Sequence, residues 1–121
     1  MSVLIDKTKS TPFVKFEEGI LEISGRAIPE HSIEFFKPLI NELERYISHP
    51  KELTRVVFGL EYANSGAKRL LMDICIVLEK LKENGNSVDI KWICDPEDDH
   101  MMELGKDIES LVSIPFKYVP R

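Results

Sequence analysis

Between residues 53 and 119 the hydrophobic period of the chain switches repeatedly between that of a strand and that of a helix, and this alternation constrains the fold more than anything else in the sequence. Leu53 to Tyr62 is a β-branched and aromatic run centred on Val56-Val57-Phe58, apolar on both faces near its middle as a central strand is. Ser65 to Asn84 places Ala67, Leu70, Leu71, Ile74, Val77, Leu78 and Leu81 three and four apart, the spacing of one helix face, and Asn84-Gly85-Asn86 ends it. Val88 to Cys94 returns to a strand pattern. Asp95 is a natural N-cap for a further helix, with Pro96 at its first position, acids near its positive end, and Met101, Leu104, Ile108 and Leu111 as its buried stripe. Ile114 to Val119 reads as a last short strand, put at a sheet edge by Pro115.

The first half supplies the rest. Residues 1–11, with Lys7-Thr8-Lys9-Ser10-Thr11, are polar and read as a loose lead-in. Phe13 to Phe16 and Ile20 to Gly25 read as two strands joined by Glu18-Gly19, hence a hairpin. A helix is expected from His31 to Ser48, with Ile33, Phe36, Ile40, Leu43 and Ile47 on one face. Pro38 falls inside it, and either kinks the helix or marks the start of its regular part. The expected order is β-β-α-β-α-β-α-β, an α/β class with a mixed, mostly parallel sheet and right-handed crossovers, to which the hairpin adds an antiparallel element. No repeat or linker divides residues 1–121, so a single domain is expected.

Composition narrows the function classes. A net charge of −5, from 16 basic and 21 acidic residues, leaves no electrostatic footprint for nucleic acid. No apolar run has the length of a membrane span, and Met1 to Lys7 has no signal-peptide pattern. Cys75 and Cys94 lie in apolar surroundings without a Cys-x-x-Cys spacing and read as reduced core thiols, which fits a cytoplasmic protein.

In an open α/β sheet, chemistry gathers at the carboxyl ends of the strands. Two strand-to-helix junctions are therefore informative. At Tyr62-Ala63-Asn64-Ser65-Gly66, Asn64 or Ser65 can cap the helix. Alternatively, Ser65 is a hydroxyl placed for phosphorylation, where a phosphate meets free helix amides and Gly66 lets a kinase approach the backbone. At Cys94-Asp95-Pro96-Glu97-Asp98-Asp99-His100, the acids Asp95, Glu97, Asp98 and Asp99 are oxygen ligands of the kind magnesium takes. Consecutive helical acids point in different directions, however, and acids at a helix start are the ordinary dipole pairing. His100 reads as a surface helix residue, and His31 and His49 lie at helix ends. Neither a glycine-rich phosphate loop nor a Ser-His-Asp arrangement is evident.

Several landmarks in order carry a family resemblance over nearly the full length: Thr8-Lys9-Ser10-Thr11-Pro12-Phe13, Phe35-Phe36-Lys37-Pro38-Leu39, Leu60-Glu61-Tyr62-Ala63-Asn64-Ser65, Trp92-Ile93-Cys94-Asp95, and Met101-Met102-Glu103-Leu104-Gly105-Lys106-Asp107. With these the chain resembles the bacterial SiaC family of regulatory phosphoproteins, which have a STAS-like fold; its Asn64-Ser65-Gly66 is similar to the Ser-Ser-Gly that anti-sigma-factor antagonists carry at the same junction. The resemblance implies a non-enzymatic switch protein with no catalytic residue, cofactor or metal of its own. Its implied partners are a dedicated Ser/Thr kinase, a PP2C-like phosphatase, and a target signalling enzyme such as a diguanylate cyclase making cyclic di-GMP. It implies Ser65 as the phosphate acceptor and a contact surface of Tyr62, Ala63, Asn64, Gly66, Lys68, Leu71 and Met72. The chain departs from the family pattern where Gly66 and Ala67 take the places of further hydroxyl residues, which leaves Ser65 alone in the loop. Two other readings stay open: a small metal-dependent enzyme or ligand-binding protein built on Asp95–Asp99, and an anti-sigma antagonist whose partner is a sigma-controlling kinase.

Overall fold

The alternation of periods builds a sheet covered by helices. In the computed structural model, which describes residues 2–121, the strands are β1 (Val3–Ile5), β2 (Phe13–Glu17), β3 (Ile20–Ala27), β4 (Leu53–Ala63), β5 (Ser87–Cys94) and β6 (Phe116–Pro120). The helices are α1 (Ser32–Tyr46), α2 (Ser65–Glu83) and α3 (Asp99–Glu109). They form one six-stranded sheet in the order β1-β2-β3-β4-β5-β6. The pairs β1–β2 and β2–β3 are antiparallel; β3–β4, β4–β5 and β5–β6 are parallel.

Each helix joins two neighbouring parallel strands in sequence order. Crossovers of this kind are right-handed, so the three helices fall on the same face of the sheet. Burial follows that geometry. Val14, Phe16, Leu21, Ile23, Val56, Phe58, Ile90, Trp92 and Phe116 are buried beneath the helices. Next to them in sequence lie Lys15, Glu22, Arg55, Lys91 and Lys117, all wholly or partly exposed, as period-two alternation requires of a sheet with one covered face. α2 is the central helix and buries Ala67, Leu70, Leu71, Ile74, Cys75, Val77, Leu78 and Leu81.

α3 is held by an unusually close contact. The Trp92 indole N–H donates to the Met101 carbonyl at 3.0 Å. A Cβ at Gly105 would lie 2.9 Å from two atoms of the same ring. Only a glycine lets the helix backbone rest on the indole. Trp92 also stacks on Phe116, with centroids 6.1 Å apart. The strand after α3 is tied back to the helices. The Phe116 amide and the Tyr118 hydroxyl donate to the Glu109 carboxylate at 2.7 and 2.6 Å. The Ser113 amide and hydroxyl donate to Glu79 of α2 at 2.5 and 2.6 Å.

Several expectations are corrected here. The lead-in of residues 1–11 is not loose throughout: Val3-Leu4-Ile5 forms β1 on the β2 edge, with Ile5 opposite Val14. Residues Thr8 to Thr11 are an ordered turn, in which the Thr8 and Thr11 hydroxyls share a 2.6 Å hydrogen bond and Ser10 accepts the Ile28 amide at 2.8 Å. α1 runs through Pro38, so the regular helix does not begin there. Ile33 is 72% exposed and Leu111 is 52% exposed, because each lies at a helix end where the sheet no longer backs it, whereas Leu39 is buried. α3 starts at Asp99 and is capped by Asp98, not by Asp95. β6 is an edge strand, as Pro115 implied.

Gly105→Ala should destabilise the protein by about 1–3 kcal/mol, the usual consequence of overpacking against a rigid ring; a lower urea midpoint at unchanged slope would show it. A pH effect is expected in the loop before β6. The Ser113 hydroxyl and amide hold the Glu79 carboxyl below its ordinary pKa. A depressed folded-state pKa contributes stability above the unfolded-state value and loses it as the pH falls through the folded one. Exchange protection of the Ser113 amide should therefore persist to a pH below the usual glutamate range, and Glu79→Gln should remove that dependence.

Candidate functional site

The carboxyl end of β4 is shaped by a register shift. Gly25 pairs with Leu60, but Arg26 pairs with Tyr62, so Glu61 is an extra residue and the strand bulges just before the helix. The chain then enters α2 through Asn64, and every polar group of that residue is bonded. Its amide donates to the Ala27 carbonyl at 2.9 Å, and its carbonyl accepts the Lys68 amide at 2.9 Å. Its Oδ1 accepts the Ala67 amide at 2.8 Å, and its Nδ2 donates to the Pro29 carbonyl at 3.3 Å. Asn64 is therefore the cap of α2.

Ser65 is the first helical residue and is exposed. Among the described residues its hydroxyl has no hydrogen-bond partner. The junction thus separates two jobs: Asn64 satisfies the helix end, and Ser65 is spared from it. Gly66 serves packing, since a Cβ there would lie 2.6 Å from the Ser32 hydroxyl at the start of α1.

The residues on either side of Ser65 line different grooves. Gly66 contributes to one of about 680 Å3 between α1 and α2, with Ile33, Arg69, Leu70 and Asp73 among its walls. Ala63 and Lys68 contribute to one of about 330 Å3 between α2 and α3, with Tyr62, His100, Glu103 and Asp107. Lys68 bridges this second groove, its Nζ 3.2 Å from the Asp107 carboxylate of α3. Arg69 pairs along its own helix with Asp73 at 3.6 Å.

Of the residues expected at the contact surface, Tyr62 is 51% exposed, and Ala63, Asn64, Gly66, Lys68 and Met72 are partly exposed. Leu71 is corrected: it is fully buried in the core and presents nothing to a partner. Its spacing from Ala67 and Ile74 already placed it on the buried stripe. Ile33 and Asp107 were not anticipated. Ile33 is visible only once α1 is seen to start beside α2, and Asp107 only once α3 lies against Lys68.

The acidic junction has other work. Asp95 Oδ1 accepts the Glu97 amide at 2.9 Å, and the Asp95 carbonyl accepts the Asp98 amide at 2.9 Å. Asp98 Oδ1 accepts the Met101 amide at 3.1 Å. These acids close a turn and cap a helix. Among the described residues no group of three or more His, Cys, Asp or Glu is arranged to hold a metal ion. The thiols are equally inert. Burial pushes Cys75 up to about 12. Cys94 is also raised, by burial first and Asp98 second. No described helix is long and apolar enough to cross a membrane.

Comparison with known proteins points one way. The model of the SiaC family regulatory phosphoprotein matches residues 5–121. An uncharacterised protein of Pseudomonas aeruginosa strain UCBPP-PA14 is 29% identical over 114 residues, which is 93% of this chain and 90% of that protein. SiaC of Pseudomonas aeruginosa superposes with a TM-score of 0.90 at 27% identity, over 100% of this chain and 99% of the other. SiaC bound as activator to the diguanylate cyclase SiaD, also of Pseudomonas aeruginosa, superposes with a TM-score of 0.91 at 27% identity, over 98% and 99%.

The division of labour at the junction predicts opposite outcomes for adjacent residues. Asn64→Ala should lower stability by about 1–2 kcal/mol through loss of the cap, whereas Ser65→Ala should stay within about 0.5 kcal/mol of the parent. Paired urea denaturation curves check both.

Proposed function

The chain belongs to the SiaC family of regulatory phosphoproteins, and on that premise we propose that it is a phosphorylation-controlled activator: unmodified, it binds and regulates a diguanylate cyclase, and phosphorylation at Ser65 releases that partner. It acts by contact and carries out no catalysis itself. A dedicated Ser/Thr kinase transfers the terminal phosphoryl group of a nucleoside triphosphate to Ser65 Oγ, the hydroxyl proton leaving to solvent. A PP2C-like phosphatase hydrolyses the ester. The choice of partner is taken from SiaC of Pseudomonas aeruginosa, which forms a complex with the cyclase SiaD.

The observation that carries this reading is the Ser65 hydroxyl, unengaged among the described residues, beside a cap that does not need it. A serine used as the cap would have to give up its bond to be modified, weakening the helix each time the switch turned. Here modification leaves the Asn64 bonds in place. The new phosphate faces helix amides and brings between one and two negative charges onto an exposed patch.

In the unmodified state the contact surface is Tyr62, Ala63, Asn64, Gly66, Lys68 and Met72, with Ile33 at its margin. Desolvating a phosphate in such an interface costs several kcal/mol, because a single lysine does not neutralise its charge. Because about 1.4 kcal/mol is tenfold in affinity, release is expected well beyond tenfold.

Two measurements test this. Peptide mass spectrometry of the protein from its native host should find one phosphate, on Ser65, and none in Ser65→Ala. With purified cyclase, Ser65→Ala should bind and stimulate as the parent does, while Ser65→Asp should bind more than tenfold more weakly. A Ser65→Asp variant that activates as well as the parent would overturn the switch.

A further inference from the structure

Lys68 is three residues after Ser65, and on a helix residues three apart share a face with Cβ atoms roughly 5–6 Å from each other. It is also the cation that ties α2 to α3 through Asp107 at 3.2 Å. Building on the phosphorylation of Ser65, we infer that the phosphate takes Lys68 from Asp107, so that modification is transmitted across the groove to α3 as the breaking of one ion pair.

The local charges favour the exchange. The pair is exposed on both sides, at 39% for Lys68 and 57% for Asp107, so solvent weakens it and little is lost when it opens. A phosphoserine dianion attracts the ammonium more strongly than one carboxylate does. Arg69 is the other cation within a turn of Ser65, but it lies along the α1 groove and is held by Asp73. The remaining ionisable groups around the α2–α3 groove are His100 and Glu103 of α3 and the Tyr62 phenol, with Glu61 one residue outside it. When Lys68 leaves, Glu103 and Asp107 remain without it, and the groove changes from a bridged, partly neutralised surface to an acidic one. A partner approaching α3 then meets a changed charge at a point where no phosphate is attached.

The test is a phosphorus NMR titration of protein carrying phosphoserine at position 65, introduced by genetic encoding so that no kinase is needed. The ordinary second ionisation of phosphoserine is at about 6. Lys68→Gln should raise the observed value by roughly half a unit or more, because a cation within reach favours the dianion. Asp107→Asn should lower it, since Lys68 then has no competing carboxylate. The decisive comparison is the double variant. Removing Asp107 should shift the phosphate clearly less when Lys68 is already Gln than when it is Lys. An unchanged titration in Lys68→Gln overturns the contact, and an equal Asp107→Asn shift in both backgrounds overturns the competition. The result is independent of any partner. If phosphoserine at position 65 fails to release the cyclase, the proposed function falls while the titration still decides the exchange.

Discussion

Asn64 carries the junction on which the functional surface depends. One side chain caps α2 and holds the connector at Pro29, while its backbone reaches Ala27 and begins the helical ladder at Lys68. Four hydrogen bonds from one residue fix the end of β4, the turn before α1 and the first turn of α2 relative to each other. An asparagine suits this position because its amide offers a donor and an acceptor at once, where an ionised aspartate, which only accepts, would leave the Pro29 carbonyl without its donor. With the cap so firmly made, its neighbour can be exposed, unbonded and chemically available without weakening the helix.

The second organising contact lies under α3. Trp92 reaches up from β5 to the Met101 carbonyl, and Gly105 lets the helix settle on the ring. This fixes where Asp107 stands, two residues after Gly105. The ion pair with Lys68 is thus a consequence of core packing: a glycine and an indole place a surface carboxylate opposite a lysine that follows Ser65. The acids at the start of the same helix complete the picture. Asp98 caps, Asp95 closes a turn, and their density reflects a sharp entry from β5 into α3 with several backbone amides to satisfy.

The architecture was legible because strands and helices imprint different periods, and β4, α2 and β5 are long enough to display them. β1 was missed because three apolar residues show no period, and the polar segment after them dominates the reading. Ile33 and Leu111 continue their stripes in sequence but overrun the sheet in space. The start of α3 was misplaced because a run of acids offers several equally good caps, and only the backbone course selects Asp98. At the site, Tyr62 to Ser65 could be found from the strand-to-helix boundary and from family resemblance. The choice between Asn64 and Ser65 as cap could not, since either side chain can accept the same amide. Lys68 and Asp107 are 39 residues apart, and nothing in the sequence links them until β5 and α3 are folded.

The sheet order has a consequence for how the molecule is made. Strands β1 to β6 lie side by side in the order in which they occur along the chain. No strand has to be inserted between two that are already paired, and none must wait for a distant segment to reach its place. During synthesis each new strand can add to the exposed edge left by the one before, with its helix closing over the growing layer. Assembly from the N-terminus is therefore possible at every stage without undoing earlier pairings. The junction at Asn64 would be complete once α2 has emerged, whereas the carboxylate that pairs with Lys68 arrives only with α3, close to the end.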